Sequence, residues 1–93
     1  MSLHINENVI WHEMADGVSL YHIESGEFRS LNATAAQIWA LLADDGDRHA
    51  VATRLALIHA AGNDAIAARI RSDVDAFVDA MVEQGMLVEA VPA

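Results

Sequence analysis

The chain has 93 residues, 54% of them hydrophobic and none of them cysteine, so it builds one core without disulfides, thiolate chemistry or a cysteine-ligated metal. Fourteen acids face five bases, for a formal net charge of -9, and so acidic a surface is a poor match for nucleic acid, whose phosphates demand a basic one. No apolar stretch approaches the roughly 20 residues of a bilayer span, and the first residues lack the pattern of a signal peptide. The expectation is a single cytoplasmic domain over residues 1–93, with no membrane and no nucleic-acid partner.

The first third predicts three antiparallel strands. Residues 9–14 are rich in β-branched and aromatic side chains, and Asp16-Gly17 is a two-residue hairpin signal leading into a return strand over residues 18–23. Ser25-Gly26 marks a second turn, and residues 27–31 form the third strand. If both loops have two residues, Ile23 lies opposite Phe28 and Leu20 opposite Leu31. Both faces of this meander are apolar: Val9, Trp11, Val18, Leu20 and Leu31 on one, Ile10, Met14, Tyr21, Ile23 and Phe28 on the other. The alternation does not say which face is the core. Either way it leaves a second apolar face for a partner or a homodimer to cover.

Three helices follow. The first spans residues 33–43, with Asn32 or Thr34 as N-cap and Thr34 and Gln37 at capping-box spacing. Its Ala35, Ile38, Trp39 and Leu42 are spaced to face the core. The second spans residues 48–61, with Val51, Ala52, Leu55 and Ile58 inward and Gly62-Asn63 as its end. The third spans residues 65–84, capped by Asp64, with an Ile66, Ile70, Val74, Phe77, Met81 stripe and Gly85 closing it. Residues 86–88 read as a short strand, and Val91-Pro92-Ala93 as a frayed tail. A three-stranded meander followed by three helices is an α+β fold.

Few residues suggest chemistry. His12 and His22 lie on adjacent predicted strands, where a small change of register would oppose them, but a catalytic zinc needs three protein ligands and an open position. Both read as histidines of a half-exposed sheet, and His49 and His59 as surface residues. Asp44, Asp45 and Asp47 around Gly46 make an acidic loop without EF-hand spacing. No serine sits in a nucleophile elbow and no glycine loop cradles phosphate. The expectation is a protein with no catalytic residues, metal or cofactor.

The run Gly26 to Leu42 carries more information. Its Leu31-Asn32, Thr34-Ala35, Ile38-Trp39 and Leu41-Leu42 resemble the Leu-Asn-x-Thr-Ala-x-x-Ile-Trp-x-Leu-Leu signature of the PqqD family. Asp16-Gly17 with Leu20, Gly46, and the Asp73-Val74, Phe77-Val78, Met81 helix with Gly85-Met86-Leu87 extend the resemblance to nearly the whole chain. Two departures stand out: Asp47-Arg48-His49 where Thr or Ser is usual, and Gly85-Met86 for a Gly-Leu pair. The resemblance implies a winged-helix-like fold that binds the leader segment of a ribosomally made precursor peptide and delivers it to a modifying enzyme. That enzyme would be a radical S-adenosylmethionine protein, a cyclase or a leader peptidase, and the pathway that of pyrroloquinoline quinone or of another peptide natural product, lasso peptides among them. It also implies where the leader adds as a strand: along Glu27, Phe28, Arg29, Ser30 and Leu31, against Ile66, Arg69, Ile70, Asp73, Ala76, Phe77 and Ala80 of the third helix. Within that site Arg29 and Arg69 would anchor one leader carboxylate. The competing reading is a winged-helix transcription regulator, whose recognition helix would need more bases than Arg69 and Arg71 among four acids.

Overall fold

The structure is a computed structural model describing residues 2–90. Five strands and three helices follow one another: β1 (Ser2–Ile5), β2 (Val9–Met14), β3 (Gly17–His22), β4 (Phe28–Asn32), α1 (Ala33–Asp44), α2 (Arg48–His59), α3 (Asp64–Glu83) and β5 (Leu87–Ala90). The strands β2-β3-β4 form the expected antiparallel meander, and the fold is α+β. β1, which has no counterpart among the predicted elements, pairs with β5 in a separate two-stranded sheet. Four residues with one polar position between two apolar ones are too short to stand out by alternation; β1 exists because β5 gives it a partner. The proposed tail, Val91-Pro92-Ala93, lies outside the described residues.

The helices cover one face of the meander. Val9, Val18, Leu20 and Leu31 are buried there, with Leu20 fully so, against Ile38, Trp39 and Leu42 of α1 and Val74, Val78 and Met81 of α3. Trp11 packs edge-on to Trp39, ring centroids 6.2 Å apart and planes at 76°. Each large apolar side chain so enclosed contributes about 1.5–3 kcal/mol. The opposite face stays in solvent, where Ile10, Met14, Tyr21, Ile23 and Phe28 are all exposed. The helices thereby decide between the two faces.

The hairpins depart from the expected geometry. Tyr21 pairs with Phe28 and Val18 with Leu31, so Ile23 is not opposite Phe28, nor Leu20 opposite Leu31. The β3–β4 connection is longer than two residues: Gly26 N–H donates to His22 O (2.8 Å) and His22 N–H to Glu27 O (2.9 Å), with Gly26 at φ 74. The resulting slip is even, so every side chain keeps its face. In the β2–β3 hairpin Met14 pairs with Gly17, leaving Ala15 and Asp16 as the loop. Gly17 is the first residue of β3, and a Cβ there would run into the Leu31 carbonyl oxygen of β4. Its glycine serves close approach rather than turn geometry.

Caps fix the helix ends. Asn32, not Thr34, caps α1, its side chain accepting from Ala35 N–H. Asn63, not Asp64, caps α3 by accepting from Ile66 N–H, and Asp64 enters the first turn. Asp47 caps α2, accepting from His49 and Ala50 N–H, so one member of the acidic loop has a structural task. Gly46 has another: β1 lies on it, Leu3 N–H donating to Gly46 O at 2.7 Å where a Cβ would meet Leu3 backbone. On α2 the inward residues are Val51, Ala52, Leu55 and Ala56, whereas Ile58 is exposed. On α3 Val74 and Met81 of the expected stripe are buried. Val78 is buried, Ile70 and Phe77 are partly buried, and Ile66 is exposed.

Two polar clusters tie the ends together. Arg48 at the start of α2 meets Asp79 (3.0 Å) and Asp75 (3.6 Å) of α3 and Glu89 (3.2 Å) of β5. His22 is buried, not half-exposed; Ser25 N–H donates to its Nδ1 (3.2 Å), and Asn6 Nδ2 lies 3.4 Å from its Nε2 while donating to Gly85 O (2.9 Å). That knot holds the end of α3 beside the β3–β4 turn.

Candidate functional site

β4 is the outer strand of its sheet, paired with β3 on one side only. The phase of the ladder follows from the His22 N–H to Glu27 O bond. In an antiparallel pair the hydrogen-bonded positions alternate, so Glu27, Arg29 and Leu31 turn their backbone toward β3, and Phe28 and Ser30 turn theirs to the open edge. Side chains alternate in the perpendicular direction. Leu31 is buried and Arg29 half-buried on the helix side, while Phe28 and Ser30 are exposed on the outer side.

α3 lies beside this strand, which Arg29 ties to it. At one end Arg29 Nε donates to Gln84 Oε1 (2.8 Å), Nη2 to Glu27 Oε2 (3.0 Å) and Nη1 to the Phe28 carbonyl (3.0 Å). The guanidinium thus bridges strand and helix and sits on one of the two edge carbonyls. At the other end β4 has passed into α1, and a hollow of about 310 Å³ opens between the three helices. Ile38, Leu55, Ile66, Ile70 and Val74 make it apolar, with Thr34, Gln37, His59 and Asp73 at its margin.

The structure therefore sorts the expected site residues. At 100° per residue, Ile66, Ile70, Asp73, Phe77 and Ala80 share one lane of α3 with Gln84, running from the hollow to Arg29. Arg69 and Ala76 are exposed and lie further round the helix, away from the core. Asp73 borders the hollow next to α1 residues. Leu31 offers the edge neither side chain nor backbone. The expected set lacks Thr34, Gln37, Ile38, Leu55, His59, Val74 and Gln84. Thr34 and Gln37 have capping-box spacing, but Asn32 caps α1, and both line the hollow. Among the described residues no group of three or more His, Cys, Asp or Glu could hold a metal, and no helix is long and apolar enough to cross a membrane.

The sequence profile of the family described as coenzyme PQQ synthesis protein D (PqqD) matches residues 17–87. The chain belongs to the PqqD family. Among solved structures, TbiB1 in complex with the TbiA(beta) leader peptide superposes with a TM-score of 0.81 at 20% identity, covering 96% of this chain and 99% of that one. A lasso peptide synthetase B1 complexed with the leader peptide superposes with a TM-score of 0.78 at 25% identity, covering 96% of this chain and 100% of that one. No curated protein matches the chain.

Proposed function

We propose that this chain is a non-catalytic leader-binding protein: it captures the leader of a ribosomally made precursor peptide as a strand on β4 and presents it to a modifying enzyme in the cytoplasm. The observation that carries the reading is an unpaired β4 edge tied to α3 through Arg29 and Gln84, the two taken as the walls of a groove, with an apolar hollow between the helices where β4 passes into α1. Family membership and the likeness to two proteins solved with leader peptides support it.

The physics is that of strand addition. Phe28 and Ser30 offer two N–H and two C=O groups, each hydrogen bond contributing about 0.5–1.5 kcal/mol net. That amounts to a few kcal/mol and carries little sequence preference. Selectivity comes from side chains entering the lane beside Phe77 and Ala80 and from one apolar residue filling the hollow. Arg29 leaves the Phe28 carbonyl for a peptide N–H to take its place, and becomes available to a leader carboxylate. The enzyme served is of the radical S-adenosylmethionine, cyclase or leader-peptidase kind, and the pathway that of pyrroloquinoline quinone or of a related peptide product.

The test is a titration of the purified chain with the leader of the precursor encoded nearest its gene, followed by amide chemical shifts and calorimetry. The expected result is 1:1 binding with shifts concentrated at residues 27–31 and 66–84. Shifts confined to α2, or no heat at tens of micromolar protein (roughly the weak end of such recognition), would overturn it. The DNA-binding reading finds little basic surface: in a chain of net charge -9, Arg29 and Arg48 are engaged by carboxylates, which leaves Arg69 and Arg71 on α3 with Arg54 on α2.

A further inference from the structure

On the outer face of the meander the register lines up two contrasting rows. Ile10 pairs with Tyr21 and Tyr21 with Phe28, giving an apolar row across all three strands. Their exposures are 46%, 43% and 60%, so Phe28, at the open edge, is the least covered. The next row, His12–Ser19–Ser30, is polar. Neither row contains a carboxylate, although the chain carries a net charge of -9. Both rows end at the edge where the leader is proposed to add.

We infer that the outer face is a second specificity surface for the same peptide: the leader residue paired with Phe28 is aromatic or branched apolar, and its same-face neighbour paired with Ser30 is small or polar. The inference rests on strand addition at β4. A strand paired with β4 must project alternate side chains away from the groove, and the one opposite Phe28 stands about 4.5–5.5 Å from it, Cβ to Cβ. There it continues the row of Ile10, Tyr21 and Phe28 and covers the open side of the Phe28 ring. Two positions along, the same face offers only the Ser30 hydroxyl and its row. The peptide is thus gripped from both faces, by the hollow and the α3 lane on one and by Phe28 on the other. The Ile10–Tyr21–Phe28 row, which has no ionisable carboxylate or base, admits a neutral apolar residue without burying a charge.

A random-peptide display library selected against the immobilised full chain tests this, with Phe28→Ser beside it and Leu57→Ser, an exposed residue of α2, as control. Circular dichroism checks that both variants fold, and nuclear Overhauser contacts from the Phe28 ring identify the peptide residue opposite. Wild type and Leu57→Ser should enrich an aromatic or branched residue at that position, by roughly fivefold over serine, with no apolar preference two positions along. Phe28→Ser should erase that preference while retaining the groove-side pattern. If peptides are enriched and bind at β4 but the position opposite Phe28 is indifferent, the inference fails and strand addition stands. If no peptide is enriched, or the bound peptide lies elsewhere, strand addition itself fails and takes the inference with it. If sedimentation shows a dimer that Phe28→Ser dissolves while peptide preference is unchanged, the face belongs to a second copy and the inference is overturned.

Discussion

The two faces of the β2-β3-β4 sheet are nearly equal in apolar content and opposite in fate. Val9, Val18, Leu20 and Leu31 are buried under the helices, while Ile10, Tyr21, Ile23 and Phe28 face solvent. Strand alternation alone treats them alike. What separates them is the Leu31-Asn32 junction: Asn32 caps α1 directly at the end of β4, so the first helix folds back onto the face that Leu31 points to. Trp39 then meets Trp11 there, and Val74, Val78 and Met81 of α3 join the same core. A sheet face becomes core because a helix is attached to it, and an apolar face left uncovered is a surface with work to do.

The largest effect that could break this contrast is on stability. Leu20→Ala, on the inner face, should cost about 2–5 kcal/mol by urea unfolding, because it leaves a cavity in a closed core. Tyr21→Ala, one residue on and pointing outward, should cost less than about 1 kcal/mol. Comparable losses would mean that the outer face is covered in solution. The contrast between glycines comes next. Gly17→Ala pushes a methyl into the Leu31 carbonyl and must shift one strand against the other, costing about 1–3 kcal/mol. Gly26→Ala meets no atom within 4 Å and bears only the strain of its φ of 74°, about 1 kcal/mol. Equal losses at the two sites would mean that the hairpin register adapts.

How far the sequence shows these things varies by region. The meander and the three helices follow from periodicity and from turn residues. The register does not, because Ser25-Gly26 marks a turn without counting its residues, and the connection from His22 to Glu27 is longer than the shortest hairpin allows. Asn32 and Thr34 compete for one cap on equal chemistry, and only the chain path chooses. Asn63 and Asp64 pose the same ambiguity. Ile58 and Ile66 fit a helical stripe by spacing, yet they lie where α2 and α3 run out of neighbours, so both are exposed. In the site, the β4 edge is local and therefore legible. The hollow is assembled by three helices from Thr34, Leu55, His59 and Ile70, and no short-range pattern announces it.

A smaller effect tests the Arg29 bridge. Arg29→Ala frees the Phe28 carbonyl and unties β4 from Gln84, so the leader should associate a few-fold faster, as stopped-flow fluorescence would show. A slower association would assign Arg29 to attracting the leader rather than to guarding the edge. Either result separates the backbone edge, which all peptides use, from the two faces, which choose among them.

A last, comparably modest effect is electrostatic, and it belongs to the inner side alone. Asp73 is exposed at the margin of the hollow, within a chain of net charge -9, whereas the Phe28 row on the outer side carries no charge. A leader with Lys or Arg near the hollow should therefore feel Asp73 both at a distance and in contact. Asp73→Lys reverses that attraction and should weaken such a leader by about fivefold at low salt, the effect of two unit charges several ångströms away in a water-exposed site. Raising the salt toward 1 M, where the screening length falls to about 3 Å, should bring variant and wild type together. The aromatic preference beside Phe28 should persist through the same titration, because it rests on apolar area. If Asp73→Lys is silent and affinity is flat across salt, the groove side also works by apolar and main-chain contact, and the two faces select by the same force.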